Sequence, residues 1–171
     1  MADQSGWRRC KKCRALFFDG FEHSGVCAAT PNHAGEHTPE TGSFRLTHDA
    51  PEIDLFFNMQ REWRNCWKCQ VLYYGPTNGP CPGPDSPQTI DGVHYGGQSI
   101  GGAFPDDTFN FYLLMNFGAG GGQVDNWRAC WKCLSLIYDK PADTGDCPAG
   151  GQHENHGNEA GVANFTLAID G

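Results

Sequence analysis

Core-forming residues are scarce in this chain of 171 residues. Phe, Leu, Ile and Val together fill 30 positions, near the level at which chains stay disordered. No apolar run approaches the roughly 20 residues that a membrane-spanning helix needs. The opening Met-Ala-Asp-Gln-Ser-Gly-Trp-Arg-Arg lacks the apolar stretch of a secretory leader, so a cytoplasmic location, or release by a non-classical route, is expected. Basic residues are few, 12 against 20 acidic ones, for a formal charge of −8. With no basic stripe to neutralise phosphates, no nucleic-acid partner is expected. What the chain does have is glycine (23), proline (11), five tryptophans and nine cysteines. Such a composition orders itself through something besides apolar burial, either disulfides or metal.

One unit occurs three times. Trp7-Arg8-Arg9-Cys10-Lys11-Lys12-Cys13 returns as Trp63-Arg64-Asn65-Cys66-Trp67-Lys68-Cys69 and as Trp127-Arg128-Ala129-Cys130-Trp131-Lys132-Cys133. Leu16/Phe18, Leu72/Tyr74 and Leu136/Tyr138 follow, then a third cysteine (Cys27, Cys81, Cys147) and a histidine (His33, His94, His153). Phe44/Leu46, Phe111/Leu113 and Phe165/Leu167 close the units. One domain of three repeats results, spanning 7–62, 63–126 and 127–171, with polar Gly-rich loops over 82–105 and 118–122. Period-2 alternation over 108–117 and 165–170, bounded by Gly and Pro, predicts strands, and a further strand is expected over 53–59.

Nine cysteines cannot all pair internally, and three per repeat is an odd number within each copy. Three thiolates and one imidazole, however, make a complete tetrahedral zinc set. The expected ligands are Cys10, Cys13, Cys27 and His33; Cys66, Cys69, Cys81 and His94; and Cys130, Cys133, Cys147 and His153. His37 and His156, shortly beyond His33 and His153, are alternative ligands, and copy 2 has no counterpart of them. A zinc centre of this kind carries about one net negative charge, which the recurring Lys12, Lys68 and Lys132 would offset. The competing readings are a disulfide scaffold, which the odd count disfavours, a redox Cys-x-x-Cys, which leaves the third cysteine and the histidine unused, and iron, which usually takes four cysteines. His23 and His48 have no matches in the other copies and read as surface histidines.

Trp7, Trp63 and Trp127 are expected in the core. Trp67 and Trp131 lie inside the knuckles, where copy 1 has Lys11, and together with Phe17 and Tyr73 on the outward strand face are candidate ligand-binding aromatics. The pattern W-x-x-C-x-K-C-x-x-L-x-[FY], followed by Cys, His and [SN]-F-x-L, resembles a cysteine-rich tandem repeat of uncharacterised microbial proteins, some toxin- or secretion-associated. That resemblance covers all three copies and implies the same ligand set, but it brings no defined activity.

The expectation is therefore an all-β protein of three zinc-stapled repeats packed with pseudo-threefold, trefoil-like symmetry, a linear string of zinc-ribbon modules being the alternative. Repeats as short as the 45 residues of 127–171, with sparse apolar surface, cannot supply what a zinc ion can. Every metal position is filled by protein, and neither a catalytic triad nor a phosphate loop is visible, so no enzyme is expected. The function expected is multivalent recognition of glycans by a lectin-like, defence- or toxin-associated protein. A zinc-dependent protein-interaction module and a metal-dependent hydrolase are the alternatives.

Overall fold

A computed structural model describes residues 2–49, 58–85, 87, 89, 91–96, 109–116, 118–139, 144–155 and 163–171. Nine strands belong to one antiparallel, barrel-like sheet, and no α-helix occurs among the described residues. Each repeat contributes a long strand, a short strand and a closing strand. These are β1 (Ala2–Arg9), β2 (Leu16–Phe18) and β3 (Ser43–His48); β4 (Met59–Asn65), β5 (Leu72–Tyr74) and β6 (Phe111–Met115); and β7 (Gln123–Ala129), β8 (Leu136–Tyr138) and β9 (Phe165–Asp170). In every repeat the long strand pairs with both of the others. Of the strand expected over 53–59, residues 53–57 lie outside the described residues, and Met59 begins β4.

The repeats close on one another in a ring. β3, β6 and β9 pair in all three combinations. At the other end the short hairpins meet cyclically through the bridges Phe17–Val71, Tyr73–Ser135 and Ala15–Ile137. Their links are Phe18 N–H to the Gln70 carbonyl, Tyr74 N–H to that of Leu134 and Tyr138 N–H to that of Arg14. A linear string of modules would leave these groups to solvent, so the compact pseudo-threefold arrangement is the one formed.

The tryptophans build the core of that ring. Register slips in each long strand just before the tryptophan, between Gln4 and Trp7, Gln60 and Trp63, and Val124 and Trp127. The residue at the bulge, Gly6, Glu62 or Asn126, takes a left-handed φ of 91°, 71° or 65°. Glycine adopts this freely. In the other two copies an asparagine one residue before the closing phenylalanine holds the bulge, Asn110 Oδ1 accepting from Glu62 N–H and Asn164 Oδ1 from Asn126 N–H, each at 2.8 Å. The bulge turns Trp7, Trp63 and Trp127 inward to zero exposure. Each indole then meets the next repeat's closing phenylalanine edge-on: Trp7 on Phe111, Trp63 on Phe165 and Trp127 on Phe44, with centroids 5.1–5.2 Å apart. Such pairs add roughly 0.5–1.5 kcal/mol beyond area burial and staple each repeat to its neighbour.

A second buried layer lies beneath this core and consists of the cysteines with Ala15, Phe17, Val71, Tyr73 and Ile137. Phe17 and Tyr73 are therefore core residues, 0% and 3% exposed, and not the surface aromatics expected from strand alternation. Both faces of the short strands are covered, one by the tryptophan layer and the other by the metal layer. His48 is likewise buried, stacked on Phe109 at 3.7 Å and bonded to Asp49, whereas His23 stays exposed.

Candidate metal centres

Each Cys-x-Lys-Cys segment is a tight knuckle. The residue after the second cysteine (Arg14, Gln70, Leu134) sits at φ 63° in every copy, and its N–H returns to the carbonyl of the first cysteine at 2.7–3.1 Å. This points both sulfurs of a knuckle to one side. A second turn brings the third cysteine and a histidine. Cys27, Cys81 and Cys147 donate their N–H groups to the carbonyls of Gly35, Gly92 and Gly151, and the histidine two residues past that glycine closes the set.

The three sets are Cys10, Cys13, Cys27 and His37; Cys66, Cys69, Cys81 and His94; and Cys130, Cys133, Cys147 and His153, with all ligand atoms of a set within 4.8 Å of one another. His33 is thus not the ligand of repeat 1. It sits on a 3-10 turn, Pro31–His33, where Asn32 and His33 are left-handed, and its exposed ring turns to the Ala28 carbonyl at 3.1 Å. The turn lengthens the hairpin by four residues and hands the ligand role to His37. Cysteine-to-histidine spacing hides this, but Gly-x-His recurs as Gly35-Glu36-His37, Gly92-Val93-His94 and Gly151-Gln152-His153. His156, the alternative in copy 3, lies outside the described residues.

The distances are those of a tetrahedron around zinc. Zn–S bonds of about 2.3 Å and Zn–N bonds of about 2.0 Å imply S···S edges of about 3.8 Å and S···N edges of about 3.5 Å. The first and third sulfurs of each set lie 3.8, 3.6 and 3.9 Å apart. The second sulfur is 3.4 Å from the histidine Nδ1 in all three. Disulfides need about 2.05 Å, and every cysteine is a free thiol. Eight of the nine cysteines are buried, and Cys81 is half-buried.

Without a cation, three buried thiols cannot ionise together. Hydrogen bonds from Cys13 and Cys133 hold Cys10 and Cys130 far below the ordinary thiol range. At Cys66 burial opposes the same effect, but bonds from Cys69 and Cys81 prevail. The partners Cys13, Cys69 and Cys133 are pushed well above it, by bonds to Cys10 and Cys130 in two cases and chiefly by burial at Cys69. Bonding to Cys130 pushes Cys147 up to about 11. Burial lowers the affinity of His37 for a proton, yet the facing thiols Cys10 and Cys27 raise its pKa to about 9. A divalent cation resolves all of these conflicts at once. Each of the three Cys3His groups fits one zinc ion.

The interleaved lysines lace knuckle to hairpin. Lys12 bonds the Glu36 carbonyl at 3.0 Å, Lys68 bonds Asp85 at 2.6 Å, and Lys132 bonds the Gly150 carbonyl at 2.7 Å and Glu154 at 3.2 Å. Burial works against the Lys132 charge, but Glu154 and the thiolates of Cys147 and Cys130 raise its pKa, as expected of an ammonium beside an anionic centre.

Of the other aromatics singled out in the sequence, Trp67 and Trp131 lie at the surface, 37% and 50% exposed. Trp67 lines an open cavity of about 560 Å³ at the seam of repeats 1 and 2, with Phe21, Phe109, Phe111, Gln4, Asn65 and Gln70. Nothing in the repeat pattern points to Phe21, and alternation over 108–117 sets Phe109 on the same strand face as Phe111 and Leu113. The corresponding seam between repeats 3 and 1 is filled by ion pairs of Arg9 and Arg14 with Glu40 and by Arg9 lying 4.1 Å over the Tyr138 ring. Compared with known proteins, the chain matches no family model, no curated protein and no solved structure.

Proposed function

We propose that this zinc-stapled scaffold is a non-enzymatic recognition protein that binds glycans at the seam between repeats 1 and 2. The observation that carries the reading is the gathering of exposed aromatics. Among the described residues, Phe21, Trp67 and Phe109 are three of the five large apolar side chains left exposed, and all three line one cavity. The cavity has ligand-sized volume, apolar walls and the carboxamides of Gln4, Asn65 and Gln70. Sugars have apolar C–H faces that stack on aromatic rings and hydroxyls that carboxamides recognise. A second cavity of about 610 Å³ shares Phe21, Trp67 and Gln70 and adds Glu22 and Glu36, which gives room for more than one sugar ring.

A non-catalytic role is supported by the ligand sets. Four protein donors complete each tetrahedron, whereas a catalytic zinc keeps one position for water. Triplication does not repeat this chemistry at the other seams, because Asn65 and Gln70 are matched by the ion-paired Arg9 and Arg14 at the seam of repeats 3 and 1 and by Ala129 and Leu134 at that of repeats 2 and 3. Titration of defined oligosaccharides, found by glycan array and followed by calorimetry, tests the reading. Trp67→Ala and Phe21→Ala are expected to weaken binding about 10-fold each, while Trp131→Ala leaves it unchanged. An array without hits, or hits indifferent to both groove substitutions, would refute it.

A further inference from the structure

The three ligand histidines do more than close their own sites. Each holds the metal side through Nδ1, which places the proton on Nε2 and makes that nitrogen a donor. In repeat 1 the His37 Nε2–H reaches the carbonyl of Cys69, itself a ligand residue of the second centre, at 3.0 Å. In repeat 2 the His94 Nε2–H reaches Ser135 Oγ at 3.2 Å, two residues past Cys133 of the third centre. In repeat 3 the His153 Nε2 is buried with no partner among the described residues. The residue matching Ser135 in repeat 1 is Ala15, which has no side-chain oxygen, and its carbonyl already accepts from Cys10 N–H. All three rings, with Ala15 and Ser135, line one small axial cavity.

We infer that the three zinc centres are coupled in series, 1 to 2 to 3, through these histidine bonds, and that the ring of links is open between repeats 3 and 1. This goes beyond the proposed glycan site and does not depend on it. An ion bound in repeat 1 fixes the His37 ring and with it the Cys69 carbonyl of the next knuckle. An ion in repeat 2 fixes His94 and through Ser135 the start of β8. Each filled centre therefore pre-organises the following one, which is positive cooperativity by removal of an ordering cost. Cys69 and Ser135 act as positioning groups, touching no ion with the atoms concerned.

Native mass spectrometry of the full chain, apo protein titrated with zinc alone to half of saturation, reads the coupling directly. Independent equal centres would place about three quarters of the molecules in one- and two-zinc states. Coupled centres are expected to deplete those states to less than half of that share. Ser135→Ala should still take three ions at saturation, yet restore the partly filled species. Ala15→Ser, which supplies the missing acceptor, should deplete them further and slow zinc loss to a chelator several-fold. A statistical distribution in the natural protein would overturn the inference, as would a Ser135→Ala distribution indistinguishable from it. Should Ser135→Ala fail to fold, Ala15→Ser decides alone: no change in distribution or in zinc release refutes the open link.

Discussion

Replacing Gly79 by alanine tests the ring closure at one of its three tightest contacts. An added Cβ would lie 2.3 Å from the Cys133 carbonyl oxygen and 2.4 Å from its carbonyl carbon, where ordinary contacts begin at 3.4 Å. Gly25 meets Cys69 and Gly145 meets Cys13 in the same way, so each cysteine–histidine hairpin rests on the next repeat's knuckle. About 1 Å must be recovered by moving backbone that zinc holds on both sides. Overpacking of this kind costs about 1–3 kcal/mol, or roughly 2–12 °C in melting temperature for a chain of this size. The substitution lies in repeat 2 but presses on the third centre, so zinc retention against a chelator should fall at both. Gly121→Ala is the control, since nothing lies within 4 Å of its added carbon, and it should change stability by no more than about 0.5 kcal/mol. Calorimetric melting of both zinc-loaded variants decides. Equal melting temperatures would refute the interlocked ring.

Two breaks in the threefold pattern and the chemistry of the ligands make three further expectations. The indoles of Trp7 and Trp63 donate to Gln4 and Gln60 at 3.1 and 3.0 Å, whereas Trp127 Nε1, beside Val124, is buried with no partner among the described residues. Val124→Gln should therefore stabilise the protein by about 0.5–1.5 kcal/mol, read as a higher melting temperature. Zinc quantitation of His33→Ala should give three ions per chain, and of His37→Ala two, reversing the outcome expected from the sequence spacing alone. Because the ligands must be deprotonated to bind, acidification should release zinc and unfold the chain in one transition, with circular dichroism and a zinc dye changing together.

Much of this molecule was legible in its sequence because the metal-binding residues recur. Three copies of Trp-x-x-Cys-x-Lys-Cys gave the repeats, the knuckles and six of the twelve ligands, and the third cysteine of each copy raised that to nine. His94 and His153 followed from the order of features. His37 did not, because a 3-10 turn changed the spacing while preserving Gly-x-His. Phe17 and Tyr73 were misplaced for a different reason. Alternation assumes that a short strand has one wet face, and here the second face lies against the metal layer, with Phe17 stacked on His37 and Tyr73 on His94. The groove was half visible. Trp67 stood out inside its knuckle, but Phe21 and Phe109 join it only through the ring closure that sets repeat 1 against repeat 2.

X-ray absorption at the zinc edge, with the metal quantified on the same purified sample, decides whether zinc orders this chain. Three zinc ions per chain are expected, each with three sulfur neighbours at about 2.3 Å and one nitrogen at about 2.0 Å. A sample that is folded but free of zinc, or zinc surrounded by oxygen with the cysteines oxidised to disulfides, would contradict it.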